Sequence, residues 1–488
     1  MASATDTLVL QPTITSPQGA AYDIFGSDLC LNSPSMMCVG VRGADQQALN
    51  AGAVECFQLG ADGWGFAQRM MPNDLVVGDQ FGESVSGNIA WLGAGAARHD
   101  AAGSDAGAVW IYKNRPAIGW SFTQKLLPPS GSTGARFGSS IAVGETIMAV
   151  GAPRAAGGGF VALYALSGEA WVAEAPKPNP VPAAVGRFGE SVAISGDWLA
   201  IGDPLADNGN TDAGAVYVYQ RVSKRWTGPQ ILRPLPVGDR LYFGQSVSIS
   251  GTRMVVGAYG YSASASTPGS GRVELFELEG TQWRRTSTVE PEIPAPNANF
   301  GWDVAIDGDL LAVGEPGSGS PEFAGSTAFF HRKSDRSWDR VARLTLNNPD
   351  LQPIFGSCVA MNAGQVATGA PGASAASIPY GAVAVVDLGT DCNGNQLPDI
   401  IDIQRGAPDC DENGVPDSCQ VDSDGDGIPN ACECAPDLNH NGWVSAADLV
   451  TLLNAWGLLG NRPEDLTGNG TVDAADVSTL LSKWGECE

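Results

Sequence analysis

FGESVAISGDWLAIGDP, residues 188–204, is one copy of a pattern that runs through most of the chain. Phe188 to Ile194 is a short β-branched run that Ser195-Gly196 turns back. Trp198 to Ile201 is a second apolar run, ended by Gly202-Asp203-Pro204. Beyond a Gly/Asp/Asn-rich loop come a third run, Ala215 to Tyr219, and a fourth, Trp226 to Leu232. Phe-Gly recurs at Phe25, Phe81, Phe137, Phe188, Phe243, Phe300 and Phe355, at intervals of 56, 56, 51, 55, 57 and 55 residues. A period of this size marks a repeat architecture. Four short strands per period predict the blades of a mainly β, seven-bladed β-propeller.

A second landmark keeps phase with the first. Gly151-Ala-Pro153, Gly202-Asp-Pro204, Gly257-Ala-Tyr259, Gly314-Glu-Pro316 and Gly369-Ala-Pro371 each begin 14 residues after their phenylalanine. Blades one and two read as departures, with Gly40-Val-Arg42 at 15 and Gly93-Ala-Gly95 at 12. The pattern resembles the FG-GAP repeats of the integrin alpha-subunit propeller and covers residues 1 to about 388. Trp64, Trp120, Trp171, Trp226, Trp283 and Trp338 open the fourth strands of blades one to six, and blade seven has no counterpart. Thr7-Leu-Val-Leu-Gln-Pro12 mimics the other fourth-strand endings, so a strand at about 7–12 is expected to complete blade seven.

The chain has 488 residues and a net charge of −26, concentrated at one end. Residues 389–488 hold 19 Asp/Glu against 3 Lys/Arg. This balance argues against nucleic-acid and anionic-membrane partners. No apolar run reaches the length of a membrane span. Six of the ten cysteines fall in this acidic end (Cys392, Cys410, Cys419, Cys432, Cys434 and Cys487). They suggest disulfides and an extracellular or cell-surface setting, although no signal peptide is visible. Cys434 and Cys487 bracket the last module as a clasp; the other pairings stay open.

Three segments at 389–434 place side-chain oxygens at positions 1, 3, 5 and 9. They are Asp391-Asn393-Asn395-Asp399, Asp409-Asp411-Asn413-Asp417 and Asp422-Asp424-Asp426-Asn430. Alternating hard oxygens on a tight turn suit Ca²⁺. The pattern resembles thrombospondin type 3 calcium repeats. Two twelve-residue loops follow. One presents Asp437, Asn439, Asn441, Trp443, Ser445 and Asp448, and the other Asp465, Thr467, Asn469, Thr471, Asp473 and Asp476. These are EF-hand-type ligand positions, with the position-7 residue giving its carbonyl and with Asp where a full EF-hand ends in Glu. After each loop an apolar stripe predicts a helix: Leu449, Leu452, Leu453 and Trp456, then Val477, Leu480, Leu481 and Trp484. The two stripes are expected to pack together.

This duplicated pair resembles a dockerin type I domain over about 435–488. The resemblance implies a cohesin-like or surface scaffold partner, read through Ala446, Ala447, Ala474 and Ala475. The propeller is then expected to carry a polysaccharide or extracellular protein ligand.

The chain contains no HExxH, G-x-S-x-G, phosphate-loop or GxGxxG string, and its three histidines are scattered. A non-catalytic binding or adhesion protein is therefore expected. The alternative is a polysaccharide-degrading glycoside hydrolase or lyase, because paired carboxylates leave no spacing signature. Asp203, Asp207, Asn208, Asn210 and Asp212 in blade four and Asp100 and Asp105 in blade two are expected to cap their own turns. Glu83, Glu190 and Asp303 are expected as strand-end polar groups. Trp91, Trp198 and Trp302 are expected in the core, unless one stacks a sugar on the propeller face.

Overall fold

The computed structural model describes residues 7–9, 13–61, 63–129, 132–181, 186–207, 209–318, 324–345, 354–375, 378–388, 392–393, 398–404, 406–410, 415–422, 429, 432, 436–439, 443–460 and 462–486. They fall into two compact units, Met1–Gly389 and Thr390–Glu488.

The first unit is a seven-bladed propeller of antiparallel sheets. Blade four shows the plan: Ser191–Ser195 lies innermost, followed outward by Trp198–Asp203, Ala215–Val222 and Arg225–Leu232. The second and third strands are apolar along most of their length because both faces of each blade pack on a neighbour. All seven repeat phenylalanines are buried between blades, each contributing about 2 kcal/mol of apolar burial.

A backbone seam joins each blade to the next. The N–H of every repeat phenylalanine donates to a carbonyl at the start of the preceding blade's third strand, at 2.8–3.2 Å. Beside that carbonyl stands a glycine (Gly52, Gly107, Gly159, Gly214, Gly271, Gly325 or Gly381) with φ between +79° and +103°. A Cβ on it would lie 2.0–2.2 Å from the phenylalanine carbonyl oxygen. The glycine 14 residues after each phenylalanine (15 in blade one, Gly40) makes the second close approach, to the Phe-Gly glycine of the next blade, where a Cβ would meet its carbonyl at 2.0–2.5 Å.

This contact corrects the reading of blade two. Gly95, not Gly93, faces Gly138 O, and it stands at the regular spacing of 14. Blade one is longer by one residue because its inner strand shifts register between Phe25 and Leu29.

The ring closes by the same seam: Phe25 N donates to Tyr380 O at 3.0 Å, and Phe25 bridges Gly381 as Phe81, Phe137, Phe243, Phe300 and Phe355 bridge their glycines. The expected closing strand at 7–12 needs correction. Thr7–Val9 pairs in parallel with blade six, opposite Arg343 to Thr345, and residues 10–12 lie outside the described ones. The outer partner of blade seven is Ile14, which exchanges backbone hydrogen bonds with Val383 at 2.8 and 2.9 Å. Apolar, β-branched composition marks Thr7–Val9 as a strand, but it does not say which of two neighbouring open edges the strand takes.

The outer tryptophans are held by glutamines of the preceding blade. Gln68 donates to Trp120 O at 2.7 Å and accepts from Trp120 N at 2.8 Å. Gln124 and Gln230 grip Trp171 and Trp283 in the same way. These three are the buried members of the series. A disulfide joins Cys38 to Cys56 across paired strands of blade one.

In the second unit α1 (Asp399–Gln404) precedes α2 (Ala446–Asn454) and α3 (Ala474–Ser482). Disulfides Cys392–Cys419 and Cys410–Cys432 interlace the first turns. Val444, Leu452, Ala455, Val472 and Leu480 form a small core, with Leu449 and Val477 half-buried at its margin.

Gly107→Ala is expected to destabilise the propeller several-fold more than Gly134→Ala in urea unfolding. Gly134 shares a positive φ of +74° but has open space around it, so its cost is the left-handed conformation alone, about 1–2 kcal/mol. Equal losses would mean that the seam contact carries no weight.

Candidate functional site

The inner strands of the propeller line a cavity of about 500 Å³ whose polar groups are chiefly serines and four carboxylates. Its rim is built from the two residues that follow each Phe-Gly. One of them is a serine in most blades and acts as a latch onto the next blade: Ser84 Oγ donates to Gly138 O at 2.6 Å, Ser140 Oγ to Gly189 O at 2.8 Å and Ser191 Oγ to Gly244 O at 2.9 Å. Cys358 occupies this place in blade seven, its Sγ 3.2 Å from Gly26 O. Blade six has Asp303 instead, and its carboxylate accepts from Val359 N at 2.8 Å. In blade one Asp28 accepts from Val85 N at 2.7 Å.

Asp28, Glu83, Glu190 and Asp303 thus line one cavity, and Arg42 joins them. Burial pushes the Asp28 carboxyl up to about 7, opposed by the Val85 hydrogen bond and helped by the Asp303 charge. Burial likewise pushes Asp303 up to about 6. Burial also raises Glu190, against the attraction of Arg187 and Arg154. Among the described residues, Glu83 Oε2, Arg42 Nε and Gln80 Oε1 are buried atoms without a hydrogen-bond partner.

Glu83, Glu190 and Asp303 are recognisable in the sequence as polar residues just after Phe-Gly, but only the ring brings them to one cavity, and it brings Asp28 and Arg42 there too. Trp91 is buried, whereas Trp302 is not a core residue: it is 37% exposed and lines the cavity. Its ring leans on Tyr259 at 4.9 Å and 60°, and Tyr259 stacks on Tyr242 at 4.9 Å and 9°.

The acidic loops behave as self-capping turns. Asp100 accepts from Asp105 N at 2.8 Å, and Asp207 from Asp212 N at 2.9 Å. Asp203 is buried and holds Arg187 N at 2.8 Å and Asn179 Nδ2 at 3.0 Å. Asn208 lies outside the described residues.

In the second unit, each of the two twelve-residue loops gathers hydrogen bonds onto its last carboxylate. Asp448 accepts from Asn439 N (3.1 Å), Asn439 Nδ2 (2.6 Å), Ser445 N (2.8 Å) and Ser445 Oγ (3.1 Å). Asp476 accepts from Thr467 N (2.9 Å), Thr467 Oγ1 (2.9 Å) and Asp473 N (2.7 Å). Asp465 holds Asn469 N at 3.1 Å and Gly470 N at 2.7 Å. Both final aspartates are fully buried, and Asp437 and Asp465 nearly so. Burial would raise Asp448 and Asp476, but these donors outweigh it and leave both below the ordinary carboxylate range. Among the described residues no lysine or arginine pairs with either.

Ser445 with Asp448 and Asp473 with Asp476 also form capping boxes, so the residues that close each loop start its helix. Upstream, Asp399 accepts from Cys392 N at 2.8 Å and Asp417 from Cys410 N at 2.9 Å, closing the first two nine-residue turns alike. The sulfurs near them are disulfides, so the donor set is one of hard oxygens and is of the kind that takes Ca²⁺. Asn393 donates to Asp402 at 2.8 Å. Asp391, Asn395, Asp411, Asn413, Asp424, Asp426, Asn430 and Asn441 lie outside the described residues, as do Cys434 and Cys487.

The helical stripes correct one expectation. Leu452 and Leu480 are buried, but Leu453, Trp456, Leu481 and Trp484 are each about half exposed. They stand 28 residues apart as two matched pairs, as do Ala446-Ala447 and Ala474-Ala475. Helical period places these residues on one stripe without saying how much of the stripe a short partner helix can cover.

A family model described as FG-GAP repeat matches residues 120–168, 182–219, 230–276 and 283–328. Each match crosses one seam and ends at the third strand of a blade, and three of the four begin in the fourth strand of the blade before. No curated protein matches the chain. A propeller of FG-GAP repeats suggests a binding or adhesion platform. No helix among the described residues is long and apolar enough to cross a membrane.

Asp28 generates a pH prediction. Its folded pKa stands above the ordinary carboxylate value, so the stability it contributes is complete below about pH 4 and is lost as pH rises through about 7. Asp28→Asn should therefore melt progressively higher than the wild type as pH rises from 4 to 8, by a few degrees at the upper end. A difference that is flat across this range would contradict the assignment.

Proposed function

We propose that the protein is a surface-attached or secreted binding protein, in which the propeller presents a ligand site and the C-terminal unit attaches it to a partner in a calcium-dependent way. The observation that carries this reading is the duplicated loop–helix pair, with a buried aspartate closing each loop and matched Leu/Trp pairs exposed beside it. Asp437, Asn439, Ser445 and Asp448 would hold one Ca²⁺, and Asp465, Thr467, Asn469, Asp473 and Asp476 a second. The three upstream turns would hold others through Asp391, Asp399, Asp409, Asp417, Asp422 and their neighbours. Bound Ca²⁺ would supply the positive charge that the clustered carboxylates lack and so make tail folding depend on the ion.

The resemblance to dockerin type I names the expected partner as a cohesin-like or scaffold domain. Ala446-Ala447 and Ala474-Ala475 add little hydrogen-bonding specificity. Leu453, Trp456, Leu481 and Trp484 would supply the apolar anchors instead, because aromatic side chains dominate interface energy.

A second reading, a polysaccharide-degrading enzyme, draws on one feature: Asp28 and Asp303 share a cavity and both have raised pKa values. Release of reducing ends or unsaturated sugars by the full chain would favour it.

The attachment is tested by capture of a partner from the surface and secreted fractions of the source cells on the immobilised full chain, in calcium and then in chelator. Calcium-only capture is expected, weakened about tenfold or more by Leu453→Asp with Leu481→Asp. Capture that survives both chelator and the double substitution would refute the docking role.

A further inference from the structure

The geometry points to a saccharide site at the rim of the propeller cavity, with Trp302 as its stacking surface. This inference rests on the reading of the propeller as a ligand platform. The residue directly after Phe-Gly is Ser27, Glu83, Ser139, Glu190, Gln245 and Ser357 in the other six blades, all polar. Trp302 replaces them with the largest apolar side chain and remains 37% exposed. Its support is equally specific to this sector. Tyr259 stands where four blades have proline (Pro153, Pro204, Pro316 and Pro371), and Tyr242 stands where the other repeats have no aromatic residue. The seam is complete without any of these rings. The fold therefore gives no account of the Tyr242–Tyr259–Trp302 ridge, and recognition does.

The ridge borders a polar well. Trp302, Gln245, Glu190 and Asp303 line the same cavity of about 500 Å³, a size that suits a small ligand. Arg187 approaches Glu190 at 3.4 Å, and both act electrostatically on Tyr259. A ligand that fits both surfaces needs one flat apolar face and a periphery rich in hydroxyl groups. A pyranose ring has both: its C–H face can lie on the indole while its hydroxyls reach carboxylate and amide oxygens. An apolar protein segment would satisfy the ridge but leave the polar well unpaired. Nucleic acid would be repelled by the carboxylates. The carboxylate walls also favour neutral or amino sugars over uronates.

The test is calorimetric titration of the full chain with cello-, xylo-, manno- and chito-oligosaccharides, beside Trp302→Ala and Trp302→Tyr. At least one series should bind saturably. Trp302→Ala should weaken that binding tenfold or more, and Trp302→Tyr should retain most of it, with melting temperatures unchanged. Absence of binding by every series, or equal binding by Trp302→Ala, would overturn the site. A protein ligand that Trp302→Ala still holds would preserve the platform reading and sink this one.

Discussion

The seam between a glycine of one blade and the phenylalanine of the next is the contact on which the propeller depends. The phenylalanine N–H needs a carbonyl of the preceding blade, and that carbonyl comes within reach only because the neighbouring glycine has positive φ and no Cβ. The second glycine lets the backbones approach again one strand inward. Repeated seven times, the pair sets the distance between blades, and the buried phenylalanines fill what remains. Closure follows without a special device, since Phe25 meets Gly381 as each phenylalanine meets its glycine. A rigid ring of this kind can carry varied side chains directly after each Phe-Gly, because the seam itself is made of backbone.

What was legible in the chain follows from the same physics. Phe-Gly and the second glycine are demanded by geometry at every seam, so they recur at fixed spacing and disclose the fold. Gly95 shows how a neighbouring glycine can mislead, since Gly93 offers a plausible but wrong phase. The N-terminal segment shows a different limit. Strand composition was readable in Thr7–Val9, but two adjacent sheet edges were open to it, and pairing with blade six rather than seven is decided in three dimensions. The rim was the least legible part. Asp28, Glu83, Glu190 and Asp303 lie scattered along the chain and meet only because each is one of the two residues that follow Phe-Gly in its own blade.

The C-terminal unit rests on another principle. Among its described residues the core is a cluster of five buried side chains, too few to hold loops dense in like charge without help. Disulfides tie the first turns, and hydrogen bonds gather each EF-type loop around its final aspartate. These bonds arrange the carboxylates but do not neutralise them, and a bound divalent cation would. The exposed Leu/Trp pairs then have a rationale: the two short helices cover only part of each other's stripe, which leaves a duplicated apolar surface exposed.

Calcium is proposed to order the C-terminal unit, whereas the seams of the propeller need no ion. Hydrogen exchange of the full chain with and without calcium separates the two. Slower exchange on adding calcium is expected at the amides of Asn439, Ser445, Thr467 and Asp473, which donate to the closing aspartates. The seam amides of Phe81, Phe137 and Phe243 should not change. Equal protection in both conditions at the loop amides, or a calcium response at the seams, would contradict it.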